Sequence, residues 1–396
     1  MIDFVVAGGG IGGSVVAELL ARGGKKVLVL ERNLTAPTWT RPEIYWPTTA
    51  DFVRELAAGD EWEAALASPI DAFDIHDGRA VRELVPAESL RQAGVHPWST
   101  DPNGVREMLL RKASFELRRG FEVVGLLREA GNGSRVAGVR AREVATGREL
   151  EFQARWTIAD DGVESVVRRE CGITIELETF SIEFLCFGLA WPTDLPPSRV
   201  RLWANRGGTQ SGILGLGVVP LPRARGTGLV VLRRGALEHP RGADWERFLD
   251  HDPLLRETVA GQSFPDGFAH VRRLFGHAER YGVDGAILLG DAAHPVSPAG
   301  GQGSSMAVAD ARALAEVLLA GSSDPIAEFE RRRRDPNTRS LAITRLVHRI
   351  WTLPSWCRPT PGFYGMLALF RARPAILARA VRNVSTRFLE EPPTSS

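Results

Sequence analysis

The chain has 396 residues, of which 44% are hydrophobic and 24% charged, and its formal net charge at pH 7 is +1. This is the composition of a globular protein with one large domain or two, and the balanced charge gives no reason to expect a nucleic-acid partner. No apolar run is as long as a membrane span, and the N-terminus leads into a strand-like segment without a signal peptide, so we expect a cytoplasmic protein with no integral membrane segment.

The chain begins with the pattern of a strand, a glycine-rich loop, a helix and a second strand, IDFVVAGGGIGGSVVAELLARGGKKVLVLE. The loop has the spacing G-x-G-x-x-G at Gly8, Gly10 and Gly13. In such a loop the first glycine makes a tight turn, the second lets the backbone approach a pyrophosphate, and the third lets the helix pack closely on the strand. The helix N-terminus then offers free N–H groups to phosphates, so the pattern predicts a dinucleotide site.

Glu31 closes the second strand of this unit. A carboxylate there accepts hydrogen bonds from an adenosine ribose and would repel a 2′-phosphate, which favours FAD or NAD over NADP. The next segment, RPEIYWPTT, is rich in aromatic residues and prolines. Its residues Arg41, Tyr45 and Trp46 either contact the cofactor or substrate or pack in the interior, and the sequence leaves both interpretations open.

A later stretch, ARWTIADDGVESVVRR, is strand-like up to Ala159 and then carries Asp161 and Gly162 at the start of a helix. Alone, an Asp-Gly pair indicates only a turn. Between residues 173 and 275 the pattern changes to short strands separated by glycine and proline, such as FSIEFLCFGLAW and SGILGLGVVPL. This predicts a mostly antiparallel sheet inserted into the nucleotide-binding domain.

The stretch AILLGDAAHPVSPAGGQG ends its apolar run at Asp291. At the carboxyl edge of a parallel sheet this carboxylate would lie in the ligand crevice, where it can accept hydrogen bonds from a ribityl chain. The backbone N–H groups of Gly300, Gly301 and Gly303 would stabilise negative charge on a reduced ring system. The alternative is an Asp-capped turn with glycines for bending.

After Pro325 the chain has a helical pattern that later prolines interrupt. We expect the arginine run at residues 331–334 to face water, although the arginine-rich region as a whole could also form a basic face for an anionic substrate, a carrier protein or lipid headgroups. The segment FYGMLALFRARPAILARAVRNVSTRFL has an apolar face that should pack on the flavin domain, with a peripheral membrane contact as the alternative. The tail EEPPTSS should be disordered.

No metal site or disulfide framework is expected. The cysteines are widely spaced and include no C-x-x-C pair. The histidines that fall near the other motifs lack metal-ligand spacing, namely His76, His96 and His294. Of these, His294 is interpreted as a residue that positions the GDAAH loop.

Taken in order, the three motifs resemble those of the flavoprotein aromatic hydroxylases, FAD-dependent monooxygenases of the p-hydroxybenzoate hydroxylase fold. The resemblance implies an α/β protein with a Rossmann-type FAD-binding domain, an inserted mostly antiparallel β-sheet substrate domain and a C-terminal helical region. The FAD-binding domain would comprise residues 1–70, 100–172 and 276–325, and the substrate domain residues 71–99 and 173–275. Residues 326–396 would form the helical region and its disordered tail.

The resemblance also assigns site residues. Arg106 and Val123 match family positions near the cofactor phosphates and the adenine, and Asp291 would bind the ribityl chain. The predicted FAD-binding residues are Gly8, Gly10, Ile11, Gly12, Gly13, Glu31, Arg32, Arg41, Arg106, Val123, Asp161, Gly162, Asp291, Pro298, Gly300, Gly301, Gln302 and Gly303. The predicted substrate-pocket residues, some of which depend on strand register, are Tyr45, Trp46, Leu202, Trp203, Leu214, Leu216 and Pro298.

The loop after Asp291 departs from the family pattern. Ser305 stands where many members have asparagine, and Pro295 and Ser297 change the path of the loop. These changes put in doubt how the flavin moves, whereas the backbone donors of the loop stay in place.

The implied reaction is hydroxylation of an aromatic or polyketide-like hydrophobic small molecule through a flavin C4a-hydroperoxide, with NAD(P)H and O2 as co-substrates. Because the flavin carries this chemistry, no catalytic side chain is assigned. NAD(P)H would bind only transiently, since the sequence has a single G-x-G-x-x-G. The choice between NADH and NADPH stays open, as does that between monomer and dimer.

Other activities fit the same scaffold. Epoxidation, Baeyer–Villiger insertion and oxygen-independent dehydrogenation or reduction all remain alternatives. A halogenase would need a lysine in the substrate tunnel, and the positions of Lys25, Lys26 and Lys112 argue against one. A non-enzymatic flavin-binding protein, docking a partner through its basic C-terminal face, is the least favoured alternative.

Overall fold

The computed structural model describes residues 1–37, 40–76, 80–129, 135–204, 212–236, 269–271, 274–298 and 301–352, and the single residues 256, 375, 378 and 379. The predicted role of Gly300, and the predictions for the segment after residue 352 apart from Ala375, Ala378 and Arg379, therefore lie outside the described residues.

The nucleotide-binding part is built on an eight-stranded sheet with the order β19-β20-β11-β1-β2-β8, extended from β11 by β10 and β9. The central pairs β20-β11, β11-β1, β1-β2 and β2-β8 are parallel. The central strands are apolar and buried, as expected for a parallel sheet covered on both faces. The strands are β1 (Ile2–Ala7), β2 (Val27–Glu31), β8 (Glu116–Arg119), β9 (Phe121–Arg128), β10 (Val136–Glu143), β11 (Glu149–Ala159), β19 (Gly282–Val283) and β20 (Ala286–Leu288).

Helices α1 (Ile11–Arg22) and α6 (Gly303–Leu319) pack against each other, and α4 (Pro102–Arg111) packs on α1. Their apolar residues join those of the sheet in the largest hydrophobic core of the described chain. The remaining helical segments are α2 (Pro47–Val53), two π-helical turns (Arg54–Ala58 and Trp62–Leu66), α3 (Ala87–Ala93), α5 (Val166–Glu170), a 3₁₀ turn (Gly290–Ala292) and α7 (Pro325–Thr352).

A second sheet of seven strands has the order β17-β13-β16-β15-β14-β5-β6. We call it the roof sheet. All its described pairs are antiparallel except β14-β5. Its strands are β5 (Ala72–His76), β6 (Val81–Val85), β13 (Ile182–Ala190), β14 (Arg199–Ala204), β15 (Ile213–Leu221), β16 (Arg225–Arg233) and β17 (Ala269–Val271).

Two small sheets complete the described strands. The first, with the order β3-β7-β4, joins β3 (Glu43–Tyr45), β4 (Ala67–Pro69) and β7 (Trp98–Thr100). The second pairs β12 (Ile175–Thr179) with β18 (Leu274–Ala278). In chain order, β3 follows β2, β4 precedes β5, and β7 comes between β6 and α4. The first small sheet therefore connects the two larger sheets along the chain.

This architecture confirms the predicted fold class, a parallel nucleotide-binding sheet with an inserted, mostly antiparallel one. The roof sheet uses strands from both segments assigned to the substrate domain, although the exact domain boundaries stay a prediction. Among the described helices, none is both long and apolar enough to cross a membrane.

The prediction that the arginine run at residues 331–334 faces water is wrong for one residue. Arg333 is only 1% exposed, whereas Arg331 is exposed. The Arg333 Nε donates a hydrogen bond to Asp310 Oδ1 on α6 at 2.8 Å. A buried carboxylate on a neighbouring helix, which the sequence pattern of α7 alone does not reveal, explains why this arginine points inward.

Candidate functional site

The predicted motifs meet at one edge of the parallel sheet. Strands β1, β2, β11 and β20 run in the same direction, so their carboxyl ends share that edge. The glycine loop follows β1, Glu31 ends β2, Asp160 and Asp161 follow β11, and Asp291 follows β20. Ligands of open α/β sheets bind in the crevice at this edge.

The glycine loop is packed too closely for side chains. Gly8 has φ +96°, a backbone conformation that favours glycine. A Cβ on Gly13 would lie 2.5 Å from the Gly8 carbonyl oxygen. A Cβ on Gly12 would overlap Leu289. These contacts explain the spacing of the motif, because helix α1 can approach β1 only where side chains are absent.

Glu31 lines the groove and also accepts a hydrogen bond from the backbone of the glycine loop. Its Oε2 accepts a hydrogen bond from Gly9 N at 2.9 Å, and its Oε1 accepts one from Asn33 N at 2.8 Å. Arg106 on α4 lies 2.7 Å from Glu31 Oε2 through Nη2 and donates from Nε to the Gly9 carbonyl at 2.5 Å. Two residues predicted separately thus form one buried unit.

A groove of about 450 Å³ runs along the sheet edge. Its wall includes Val123 and Arg32 as well as Asp161 and Gly162. The other predicted residues in its wall are Gly8, Gly10, Ile11, Glu31, Arg41 and Arg106. Wall residues that the sequence analysis did not single out include Asn103, Phe121, Asp160 and Ser304.

A second cavity of about 250 Å³, which we call the inner cavity, shares Gly10, Arg41 and Asp160 with the groove. Predicted residues that line it are Asp291, Pro298, Gly301 and Gly303. Its far wall consists of apolar side chains that the sequence analysis did not assign to the site, namely Phe184, Cys186, Leu229, Val271 and Val296.

Charged groups are concentrated where the groove meets the inner cavity. The Arg41 Nη2 lies 3.2 Å from Glu43 Oε2. Burial opposes the charge of Arg41, but Glu43 and Asp291 outweigh it and raise its pKa. Burial raises the pKa of Asp160 well above its usual range, and it also raises the pKa of Asp161.

Asp161 caps helix α5. Its Oδ2 accepts hydrogen bonds from the backbone N–H groups of Val166 and Val167 at 2.8 and 3.2 Å. Its Oδ1 is buried and has no hydrogen-bond partner among the described residues. Arg168 of the same helix is buried and donates to the Ala292 carbonyl at 2.8 Å, which ties this loop to the turn that carries Asp291.

A buried network of hydrogen-bonded polar side chains supports the turn Gly290–Ala292. His294 Nε2 lies 2.5 Å from Asp310 Oδ2, and Arg333 donates to the other oxygen. Asn337 Nδ2 also donates to Asp310 Oδ1 at 3.0 Å. Burial opposes the charge on Asp310, but His294 and Arg333 lower its pKa. This contact fits the predicted role of His294, which is to position the GDAAH loop.

The register of the roof sheet places the predicted wall residues on two different faces of the sheet. Leu202 pairs with Gly217, which pairs with the cavity-lining Leu229, so Leu202 faces the cavity side. Leu214 packs with Phe184 and Cys186, which also line the inner cavity.

The register places the other two predicted wall residues of the roof sheet away from the inner cavity. Trp203 pairs with Leu216, which pairs with Val230, and the three side chains lie in a separate core cluster on the opposite face. The physical reason is alternation, since neighbouring residues of a strand point to opposite faces.

Three further predicted residues pack beside the site. Tyr45 is fully buried and packs on Trp62, with ring centroids 6.2 Å apart. Trp46 packs against a cluster that contains Leu90. Neither residue lines the groove or the inner cavity among the described residues, so packing is the interpretation that applies to both. Gln302 is buried at the N-cap of α6.

These features fit an elongated dinucleotide. The N-terminus of α1 and Arg106 supply positive potential in the wall of the groove, and Asp161 Oδ1 is a buried acceptor that has no hydrogen-bond partner in the part of the chain that the structure describes. The residues present can therefore hold FAD, and we predict that Glu31 lies near the adenosine half and Asp291 near the ribityl half. Individual FAD contacts remain predictions.

Comparison with known proteins agrees with this geometry. The family model described as "FAD binding domain" matches residues 1–335. Aklavinone 12-hydroxylase DnrF of Streptomyces peucetius is 27% identical over 349 residues, covering 81% of this chain and 68% of the relative. The 6-methylpretetramide 4-monooxygenase of Streptomyces rimosus is 28% identical over 351 residues, covering 86% of this chain and 78% of the relative.

A similar solved structure is that of the flavin-dependent brominase Bmp2, with a TM-score of 0.76 at 17% identity, covering 97% of this chain and 93% of that one. At this identity the likeness shows the fold alone. The expectation of an FAD-dependent oxidoreductase is confirmed by the family match and the named relatives. The chain belongs to the FAD binding domain family and is an FAD-dependent oxidoreductase with the p-hydroxybenzoate hydroxylase fold.

Proposed function

We propose that this protein hydroxylates a large, mainly apolar aromatic or polyketide-like molecule, with NAD(P)H and O2 as co-substrates, in the cytoplasm. The observation that carries the proposal is the inner cavity, which opens from the cofactor groove and ends in an apolar wall. Such a cavity buries an apolar ring system beside the flavin end of the groove. The two relatives named above act, by their names, on aklavinone and 6-methylpretetramide.

Bound FAD would supply the redox and oxygen chemistry, and the protein would bind, orient and shield the substrate. Phe184, Cys186 and Leu229 would exclude water from one side of the substrate. Arg41 is the one cation among the described residues of the inner cavity, and it is paired with Glu43. An uncharged substrate is therefore favoured over a carboxylate, which would lack a free cation in the described wall.

The rival activities differ in how well the structure supports them. A halogenase would place a lysine in the cavity, yet Lys25, Lys26 and Lys112 are all exposed. The brominase likeness therefore reflects the shared fold. The hydroxylase and monooxygenase names of the two relatives favour oxygen insertion over dehydrogenation.

The decisive experiment is incubation of the FAD-loaded protein with NADH or NADPH, ¹⁸O₂ and a panel of polycyclic phenols and quinones. We expect substrate-dependent NAD(P)H oxidation and a product that carries one ¹⁸O atom. A product that lacks ¹⁸O and has lost two hydrogens would contradict the proposal and favour a dehydrogenase.

The Leu229→Trp variant tests where the substrate binds. The indole would fill part of the inner cavity, so we expect substrate-stimulated NAD(P)H oxidation to fall at least about tenfold, while FAD content is unchanged. Val144→Trp adds the same group at an exposed position and serves as the control. Equal activity of both variants would show that the substrate binds elsewhere.

A further inference from the structure

Asp160 lies directly between β11 and the predicted Asp161 and Gly162, yet the motifs assign it no role. Its backbone N–H donates to the Ala7 carbonyl at 2.8 Å, which continues the pairing of β11 with β1. Its side chain turns toward the glycine loop, where Oδ2 accepts a hydrogen bond from Gly13 N at 2.7 Å. Asp160 therefore touches the first turn of α1 from a neighbouring strand.

The carboxylate of Asp160 occupies the space that the glycines leave open. A Cβ on Gly10 would overlap Asp160 Oδ2, and one on Gly13 would lie 2.9 Å from it. Cβ atoms on Gly12 and Gly290 would lie 3.1 and 3.0 Å from Oδ1. Both the glycine loop and the turn before Asp291 thus close around this one side chain.

Helix α1 has no cap of its own. Its N-cap residue is Gly10, and its first turn contains no acidic residue. Asp160 supplies the missing acceptor from outside the helix, where a negative charge is favoured by the free N–H groups and the helix dipole. The glycine fingerprint assigns the same helix N-terminus to the FAD diphosphate. Two anionic groups therefore share one positive helix end.

The surroundings of Asp160 are mainly acidic. Burial raises its pKa well above the usual range, and Asp291 and Asp161 raise it further, while the Gly13 N–H and Arg106 act in the opposite direction. The charged residues that line the same groove or cavity from the neighbouring elements are Glu31, Arg32, Arg41, Glu43, Arg106, Glu122, Asp161, Glu164 and Asp291.

We propose that Asp160 is a proton-linked part of the FAD site, which keeps the N-terminus of α1 capped and must be protonated for the tightest binding of the FAD diphosphate. A protonated Asp160 still accepts the Gly13 hydrogen bond through one oxygen and gains an O–H donor. An ionised Asp160 would instead repel the diphosphate across the same helix end. The inference depends on FAD binding and not on which reaction the protein catalyses.

The test is titration of the apoprotein with FAD, followed by flavin fluorescence between pH 6 and 9. We expect the Kd of the wild-type protein to rise as pH rises above the Asp160 pKa, by up to about tenfold per pH unit for one linked proton. Asp160→Asn keeps the size and the acceptor but cannot ionise. It should show a flat profile and bind FAD at least about tenfold more tightly than the wild type at pH 9.

Two further variants separate capping from ionisation. Asp160→Ala removes the acceptor for Gly13 N, so it should bind more weakly than Asp160→Asn at every pH. Asp194→Asn changes an exposed aspartate and should keep the wild-type profile. A pH dependence of Asp160→Asn that parallels the wild type would overturn the proposal.

Proton uptake is measured on the wild-type protein, so this test does not depend on the folding of a variant. Mixing wild-type apoprotein with FAD in weakly buffered solution should take up a measurable fraction of a proton per FAD bound at those pH values between 6 and 9 where the Kd rises. Binding without proton uptake at every pH between 6 and 9 would equally overturn the role of Asp160.

Discussion

Asp291 shows how a single carboxylate reaches the cofactor site. It lies on the turn Gly290–Ala292 directly after the buried strand β20, and its backbone position is held by Arg168 and by the His294 and Asp310 pair. A short parallel strand and a supported turn thus deliver the side chain to the inner cavity. We expect the side chain to bind the ribityl hydroxyl groups.

Replacing Asp291 by alanine tests this assignment. The ribityl hydroxyl groups would lose a charged acceptor, which weakens FAD binding by about 1.5–3 kcal/mol. Fluorescence titration of the apoprotein measures the change, and Asp291→Asn, which keeps an uncharged acceptor, should have a smaller effect. A variant with alanine that binds FAD as tightly as the wild type would refute the assignment.

At the scale of elements, α7 is joined to the site through Arg333. Arg333 and Asp310 are 1% and 0% exposed, and they connect α7 to α6 and, through His294, to the turn before the inner cavity. Breaking a buried ion pair leaves an uncompensated charge in the interior. We therefore expect this contact to affect both stability and cofactor binding.

We expect Arg333→Met to lower the free energy of unfolding by about 3–5 kcal/mol, because the buried Asp310 carboxylate loses its guanidinium partner and keeps only His294 and Asn337 of the side-chain partners named above. Urea unfolding measures the loss. Adding Asp310→Asn should recover part of it by removing the buried negative charge that Arg333 no longer compensates. Arg331→Met, in the same arginine run but exposed, is the control and should change stability by no more than about 0.5 kcal/mol. Equal losses for the two arginine variants would contradict the buried pair.

For the molecule as a whole, α7 also packs beside the inner cavity. His348 stacks on Phe180 with ring centroids 4.0 Å apart, and its Nε2 lies 2.6 Å from Ser297 Oγ, next to Pro298. Burial lowers the pKa of His348 to about 4. Burial, His294 and Arg334 lower the pKa of His277 to about 3. Both imidazoles are therefore neutral in the folded protein at neutral pH.

These two histidines predict a loss of stability in mild acid. Between pH 6.5 and about 4 the unfolded chain binds protons on them while the folded protein does not, so stability is full above pH 6.5 and falls as the pH decreases. His348→Gln should make the fall shallower by up to about 1.4 kcal/mol per pH unit.

Urea unfolding at a series of pH values from 7 to 4.5 measures this slope. His96→Gln changes an exposed histidine and should leave the slope as in the wild type. A His348 variant with the wild-type slope would show that His348 titrates alike in the folded and unfolded states.

The sequence by itself determined the nucleotide-binding unit, the inserted sheet and the FAD cofactor. The glycine spacing and Glu31 could be interpreted without a structure because a strand, a tight loop and a helix dictate their geometry over a few residues. Asp161 and Asp291 could be placed at the same sheet edge because each comes within a few residues of the end of a strand. These signals are local, because the geometry of a strand, a tight loop and a helix depends on residues that are consecutive in the sequence.

Only the tertiary structure decided which side chains face the cavity and which lie in the core. Leu202 and Trp203 are neighbours in sequence, yet strand pairing sends them to opposite faces. Arg333 is buried because Asp310, distant in the chain, lies opposite it. The side chain of Asp160 fits in its position because glycines of two separate loops leave space for it. Register and contact between distant segments control all three, and no short sequence pattern encodes them.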